Sequence, residues 1–238
     1  LKAPSVVLEQ AIRIYSKVYR VDMSDVQIPP GGFASFDAFF TRELRAGARP
    51  IDAGASVMVS PADGQLAEAG PIELDGRLHI KGYEYTLAEL LGQCENASAF
   101  EGGSFCVVYL SPRDYHRVHS AVDGQVTRVQ HIDGSLFPVN KLGVRYVPWL
   151  FARNERVVVH QKSEEHGCCA TVLVGAIGVG RISLSFDDFV QRSTQEAGIR
   201  DYGLDGPQLR RGAELGMFHM GSTVILLNSK KSRLRYTK

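Results

Sequence analysis

The 238-residue chain lacks a surplus of charge: 27 Lys and Arg stand against 26 Asp and Glu, for a formal net charge of +1. That balance argues against a nucleic-acid protein held by bulk positive charge, and no nucleic-acid partner is expected. Cysteine is scarce, with Cys94, Cys106, Cys168 and Cys169 and no CxxC spacing. This suits small buried thiols in a reducing compartment. A zinc site from His166, Cys168 and Cys169 would have poor ligand spacing, and no metal is expected. Long apolar runs are also missing. The longest, CCATVLVGAIGVG from Cys168 to Gly180, has 13 residues, against the ~20 of a membrane-spanning helix. No secretory leader is visible. The first residue is Leu1 rather than Met, which is expected of a truncated or processed form and leaves upstream segments open. The hydrolase elbow GxSxG is absent too: Met220-Gly221-Ser222-Thr223-Val224 has no second glycine, so a conventional serine hydrolase is not supported.

What is present suits one sizeable domain or two small ones, since 44% hydrophobic and 22% charged residues are enough for an ordinary core. Val7, Ala11, Ile14, Tyr15 and Val18 recur at helical spacing, with Arg13, Lys17 and Arg20 between them. They predict an N-terminal helix that either packs on its own domain or lies on an anionic membrane surface. Pro29-Pro30-Gly31-Gly32 breaks the pattern, and a short helix is expected over Phe36 to Leu44 with Ser35 as its N-cap. After Pro50 the texture turns to short strands, as in Phe105–Leu110, Arg156–His160, Thr171–Val174 and Thr223–Leu227. Asp-Gly pairs begin at Asp63, Asp75, Asp123, Asp133 and Asp205, a signal for tight turns. The chain therefore reads as α+β: a helical segment over 1–50 and a mostly antiparallel, β-rich core over 51–238. SPADGQL from Ser60 resembles SAVDGQV from Ser120 at four of seven positions, which marks a candidate duplicated β motif. Residues 196–212, rich in glycine and charge, read as a loop or excursion.

Two stretches carry candidate chemistry. In YLSPRDYHRVHSAVDG, Tyr109 to Gly124, His116 and His119 stand three apart after a strand end. They share a face on a helical turn and oppose each other on a strand. A metal pair competes with an acid–base site, but no third ligand has convincing spacing. In FHMGSTVILLNSKK, Phe218 to Lys231, a Gly-Ser-Thr step opens an apolar run. Taken alone, Ser222 reads as a hydroxyl at a strand start. Gly221, with no Cβ, permits close approach of a nucleophile to its own carbonyl.

Seven blocks in order resemble the pyruvoyl-dependent phosphatidylserine decarboxylase family. They are FDAFFTRELRAGARPID (Phe36–Asp52), VSPADGQL (Val59–Leu66), the histidine stretch, GSLFPVN (Gly134–Asn140), LFARNERVV (Leu150–Val158), LVGAIGVGRI (Leu173–Ile182) and ELGMFHMGSTVILL (Glu214–Leu227). The stretch Ser183 to Gly206 departs from the pattern. The resemblance implies a zymogen in which Ser222 Oγ attacks the Gly221 carbonyl. The chain would be cleaved into 1–221 and 222–238, and Ser222 would become a pyruvoyl group. It implies His119 as the base and Asp63 as the aspartate that orients it. It implies a second role for His116, in carboxylate handling or proton delivery. The substrate would be phosphatidylserine, converted through a Schiff base to phosphatidylethanolamine and CO2, with no external cofactor. The small chain would stay bound, and a homodimer is expected by family analogy. Peripheral membrane association follows, on the cytoplasmic face of the cell membrane if the source is bacterial. The tail Lys230, Lys231, Arg233, Arg235 and Lys238, beside Leu234 and Tyr236, adds basic charge for it. Rival readings are a related soluble amino-acid decarboxylase and a non-catalytic membrane-binding relative.

Overall fold

The computed structural model describes residues 6–54, 56–92, 94, 96–177, 181–192, 198–203, 205–219 and 222–232. The N-terminal part carries helices α1 (Val6–Tyr19) and α2 (Phe36–Phe40). Ser35 caps α2, its Oγ accepting the Ala38 N–H at 3.0 Å, which satisfies a donor the helix leaves open. The helix stops short of the expected Leu44. Thr41 turns back to the Asp37 carbonyl, and Leu44 leaves to form an antiparallel bridge with Val26. These elements enclose a small core of Val21, Val26, Phe33 and Phe39, with Ile12 and Tyr15 of α1 against it.

The remainder is β-rich. In chain order the strands are β1 (Gln65–Pro71), β2 (Arg77–Ile80), β3 (Tyr83–Thr86), β4 (Ser104–Leu110), β5 (Arg117–His119), β6 (Gly124–Ile132), β7 (Arg156–Ser163), β8 (Gly167–Val174), β9 (Ile182–Leu184), β10 (Gly198–Asp201), β11 (Gln208–Leu209), β12 (Glu214–Phe218) and β13 (Ser222–Asn228). Short helices α3 (Leu87–Leu91), α4 (Lys141–Tyr146) and α5 (Leu150–Arg153) lie in the connections. The main sheet runs β1-β4-β13-β8-β7-β6-β10, with β11 also on β6, and a smaller sheet runs β5-β12-β9. Every ladder among the described residues is antiparallel. The apolar runs of β7, β8 and β13 fill the main core, as expected of strands covered on both faces. The described part of the expected loop at 196–212 holds two short edge strands: among the described residues β10 and β11 pair only with β6, and residues 196, 197 and 204 lie outside those described. A single neighbour and an alternating half-exposed pattern account for their polar sequence.

The repeated SxxDGQ stretches are structural counterparts. Ser60 Oγ donates to the Ala62 carbonyl and Ser120 Oγ to the Val122 carbonyl, both at 2.8 Å. The two stretches also face each other reciprocally: the Val59 N–H donates to the Ala121 carbonyl and the His119 N–H to the Pro61 carbonyl. Beyond them, the β1–β4 ladder shifts register between Leu66 and Glu68, and the β6–β7 ladder between Val126 and Arg128. The sheet order is symmetric about the β13–β8 pair, with β4 and β7 next and β1 and β6 outside. A duplicated β motif related by a local two-fold accounts for all of these.

Candidate active site at the head of strand β13

Seven buried residues make up β13, which pairs with β4 on one side and β8 on the other. Its first residue, Ser222, lies opposite Leu110, where β4 ends and the histidine stretch begins. Ser222 is fully buried, and its Oγ has no hydrogen-bond partner among the described residues. An unpartnered buried hydroxyl costs about 1–3 kcal/mol, and it leaves the Ser222 Oγ free of competing bonds, as an attacking group requires. Met220 and Gly221, the latter the expected cleavage position, lie outside the described residues.

His116 also carries a buried atom without a partner. Its Nδ1 lies 2.8 Å from the Asp114 carbonyl, and its Nε2 has no partner among the described residues. A carbonyl only accepts, so Nδ1 carries the proton and Nε2 presents a lone pair. Burial, with the Arg42 cation nearby, pushes the imidazole down to about 3, so the ring is neutral at ordinary pH. Phe40 of α2 covers it, with ring centroids 4.0 Å apart. The His116 carbonyl accepts the Phe218 N–H at 3.0 Å, tying the histidine stretch to the strand that leads into the Gly-Ser step.

His119 is held differently. Its Nδ1–H donates to the Gly212 carbonyl at 2.8 Å, and its Nε2 accepts the Tyr115 hydroxyl at 3.0 Å. Tyr115 stacks on the ring, and burial raises its phenol to about 12, so it stays a donor. Asp63 sits close by, because the His119 N–H to Pro61 bond brings its turn alongside. Its Oδ2 accepts the Arg49 Nε–H at 2.7 Å. Asp63 and His119 therefore share a neighbourhood but make no direct triad contact here. Asp63, Arg42, Arg49, Asp114 and Tyr115 line one polar cavity of about 290 Å³.

Sequence reasoning missed Tyr115 as the link to His119, although it lies inside the histidine stretch. It also missed Arg42, a buried guanidinium that donates to the Arg113 and Asp114 carbonyls at 2.9 and 3.0 Å and fixes the loop before His116. Arg42 lies within the FDAFFTREL block, so a signal was present. Among the described residues no three His, Cys, Asp or Glu side chains are grouped to hold a metal. A second cavity, about 420 Å³, reaches Thr223 beside Ser222. Val107, Val144 and Phe151 form apolar parts of its lining, and Lys81 and Arg145 bring positive charge.

Comparison with known proteins decides the family. The model described as Phosphatidylserine decarboxylase matches residues 36–237. A Myxococcus xanthus (strain DK1622) protein named Phosphatidylserine decarboxylase proenzyme is 42% identical over 231 residues, covering 97% of this chain and 82% of the relative. Proteins of the same name from Shewanella baltica (strain OS155 / ATCC BAA-1091) and Shewanella sp. (strain MR-4) are each 43% identical. These alignments cover 92% and 93% of this chain and 77% and 78% of the relatives. The chain belongs to the phosphatidylserine decarboxylase family. In this chain Asp63 lies in the first SxxDGQ turn, His116 and His119 in the histidine stretch, and Ser222 at the head of β13.

Proposed function

We propose that this chain is a self-processing decarboxylase that converts phosphatidylserine to phosphatidylethanolamine and CO2 with a pyruvoyl group made from Ser222. The observation that carries the reading is the buried, unpartnered Ser222 Oγ at the first position of a central strand, in a chain of this family. Relieved of its proton, Oγ attacks the Gly221 carbonyl carbon. The C–O bond forms, the C–N bond breaks, and the freed nitrogen takes the proton. Loss of the Ser222 α-proton then expels the Gly221 carboxylate from Cβ. Water converts the resulting dehydroalanine to the pyruvoyl group with release of ammonia.

His119 is the base for this reaction. Its Nδ1–H is fixed by the Gly212 carbonyl, so Nε2 is the basic atom, and the Tyr115 hydroxyl now donating to it must turn away or relay the proton. Asp63, brought alongside by the His119 N–H to Pro61 bond, is the carboxylate that supports this pair. The pyruvoyl group, once formed, supplies a carbonyl that captures the substrate amine and draws off the electrons released with CO2. His116, neutral and with a bare Nε2, is the second proton-handling group. The cavity at Thr223 suits a lipid headgroup, with Lys81 and Arg145 for the phosphodiester.

The lipid must come from a bilayer, and no described helix is long and apolar enough to cross one. On α1, Ile12 and Tyr15 pack inward, while Val7, Ala11, Ile14 and Val18 form an exposed stripe beside Arg13 and Lys17. That stripe suits insertion at an anionic surface. Arg233, Leu234, Arg235, Tyr236 and Lys238 of the basic tail lie outside the described residues.

The test is CO2 release by purified protein from phosphatidylserine vesicles and, separately, from free serine. Turnover of the lipid alone supports the reading. Turnover of the free amino acid with none of the lipid supports a soluble amino-acid decarboxylase instead.

A further inference from the structure

Three side chains distant in sequence meet just ahead of the Gly221–Ser222 junction. His219 Nδ1 faces the Asp37 carboxylate, 2.8 Å from Oδ1 and 3.0 Å from Oδ2, and its Nε2 lies 3.0 Å from Ser183 Oγ. A carboxylate only accepts, so Nδ1 carries the proton, and in the neutral ring Nε2 accepts from the Ser183 hydroxyl. The His219 main-chain N–H donates to the Arg181 carbonyl at 3.0 Å. One residue is thus tied to α2 through Asp37 and to β9 through Ser183, at the end of β12. The order hydroxyl, imidazole, carboxylate is that of a hydrolase triad. Ser183, however, is 4% exposed in the middle of β9, paired with Met217. Its hydroxyl has no room for a substrate, and a separate hydrolytic activity does not follow.

We propose that Asp37, His219 and Ser183 are positioning residues that hold the scissile peptide for attack by Ser222. The inference rests on the self-processing reading above. Attack on a neighbouring carbonyl requires reacting atoms about 3–3.5 Å apart and aligned. The β13 ladder fixes the chain from Ser222 onward. On the other side only Met220 and Gly221 separate the junction from His219. Glycine is the freest residue the chain offers, so without an anchor at His219 the carbonyl of Gly221 would sample many orientations. Asp37 also couples the anchor to the His116 environment, because Phe40 on the same helix covers that ring. Once the junction is cut, His219 belongs to the end of the long fragment, and its anchor no longer bears on the reacting atoms.

The test follows fragment appearance over time by intact mass in freshly folded wild type, Asp37→Asn, His219→Gln, Ser183→Ala and Ser183→Thr. His79→Gln in the exposed β2–β3 hairpin is the control. Misplacement by about 1 Å can cost on the order of 100-fold. We therefore expect Asp37→Asn, His219→Gln and Ser183→Ala to slow self-cleavage about 10- to 100-fold, with Ser183→Thr restoring the rate. The Asp37→Asn/His219→Gln double variant should be no slower than the slower single one, as for partners in one network. Turnover per carbonyl equivalent in material that has finally been cleaved should match wild type. Should His219→Gln fail to fold, Asp37→Asn, altering the more exposed partner, carries the test. Cleavage at the wild-type rate in Asp37→Asn and Ser183→Ala overturns the anchor alone. So does slowing that simply follows melting temperature, with Ser183→Thr no better than Ser183→Ala. Wild type that never splits at Gly221–Ser222 overturns both the anchor and the self-processing reading.

Discussion

His116 is a neutral base kept neutral by burial, and this has a measurable consequence for stability. Its folded pKa is about 3 and that of His160, also buried, about 4, while an unfolded histidine titrates near 6.5. Below pH 6.5 the unfolded chain therefore binds protons that the folded chain refuses. Stability is complete above about pH 6.5 and falls as pH drops toward 3–4, by up to roughly 1.4 kcal/mol per pH unit for each histidine. Chemical denaturation at pH 7 and pH 5 should show this loss, and His116→Gln should reduce it. An unchanged slope in that variant would contradict the assigned burial. Tyr115→Phe tests the neighbouring site. It removes the hydroxyl that occupies His119 Nε2 and leaves stacking intact. If the hydroxyl relays the proton, self-cleavage should slow by about 10- to 100-fold. A faster rate would mean that Tyr115 only blocks the base.

At the level of elements, the proposed cleavage requires β13 to serve the protein before and after the cut. Ladders on both edges and complete burial of its residues hold it, so the 222–238 fragment should remain bound without a covalent link. Ile225→Ala should cost about 2–5 kcal/mol, read as a lower denaturation midpoint, and should loosen the small fragment in size-exclusion runs of cleaved protein. The two DGQ turns make a second, paired test. A Cβ on Gly64 would lie 2.4 Å from the Tyr109 carbonyl oxygen, whereas one on Gly124 would lie 3.0 Å from that of Lys162. Both contacts are with backbone, so Gly64→Ala should destabilise by about 1–3 kcal/mol and more than Gly124→Ala. Equal melting temperatures for the two would contradict this.

Much of this level was legible. Apolar runs with β-branched residues found the centres of β4, β7, β8 and β13, and the Ser35 cap found α2. The ends were not legible. Gly167 enters β8 at φ +74, a turn conformation, and Cys168 and Cys169 are extended because β7 offers them a ladder. The same holds at the site. The histidines and Gly-Ser step stand out locally, but Arg49 on Asp63 and Asp37 on His219 are contacts between residues brought together only by the fold.

For the molecule as a whole, the proposed function requires bringing the head of β13 to a bilayer. The predicted apolar spacing on α1 is present, but its stripe faces outward while Ile12 and Tyr15 hold the helix down. Spacing alone could not separate these faces, because both repeat with the helical period. Replacing Val7, Ile14 and Val18 together by Asp should abolish sedimentation with anionic vesicles and leave self-cleavage unchanged. Retained vesicle binding would move the docking surface elsewhere.

The most direct measurement of the central claim is the intact mass of purified protein, wild type beside Ser222→Ala. Wild type should resolve into fragments 1–221 and 222–238, the small one blocked at its N-terminus and reactive toward a carbonyl reagent, while Ser222→Ala stays whole. A wild-type protein that remains a single 26.1 kDa chain after folding under native conditions would contradict the account.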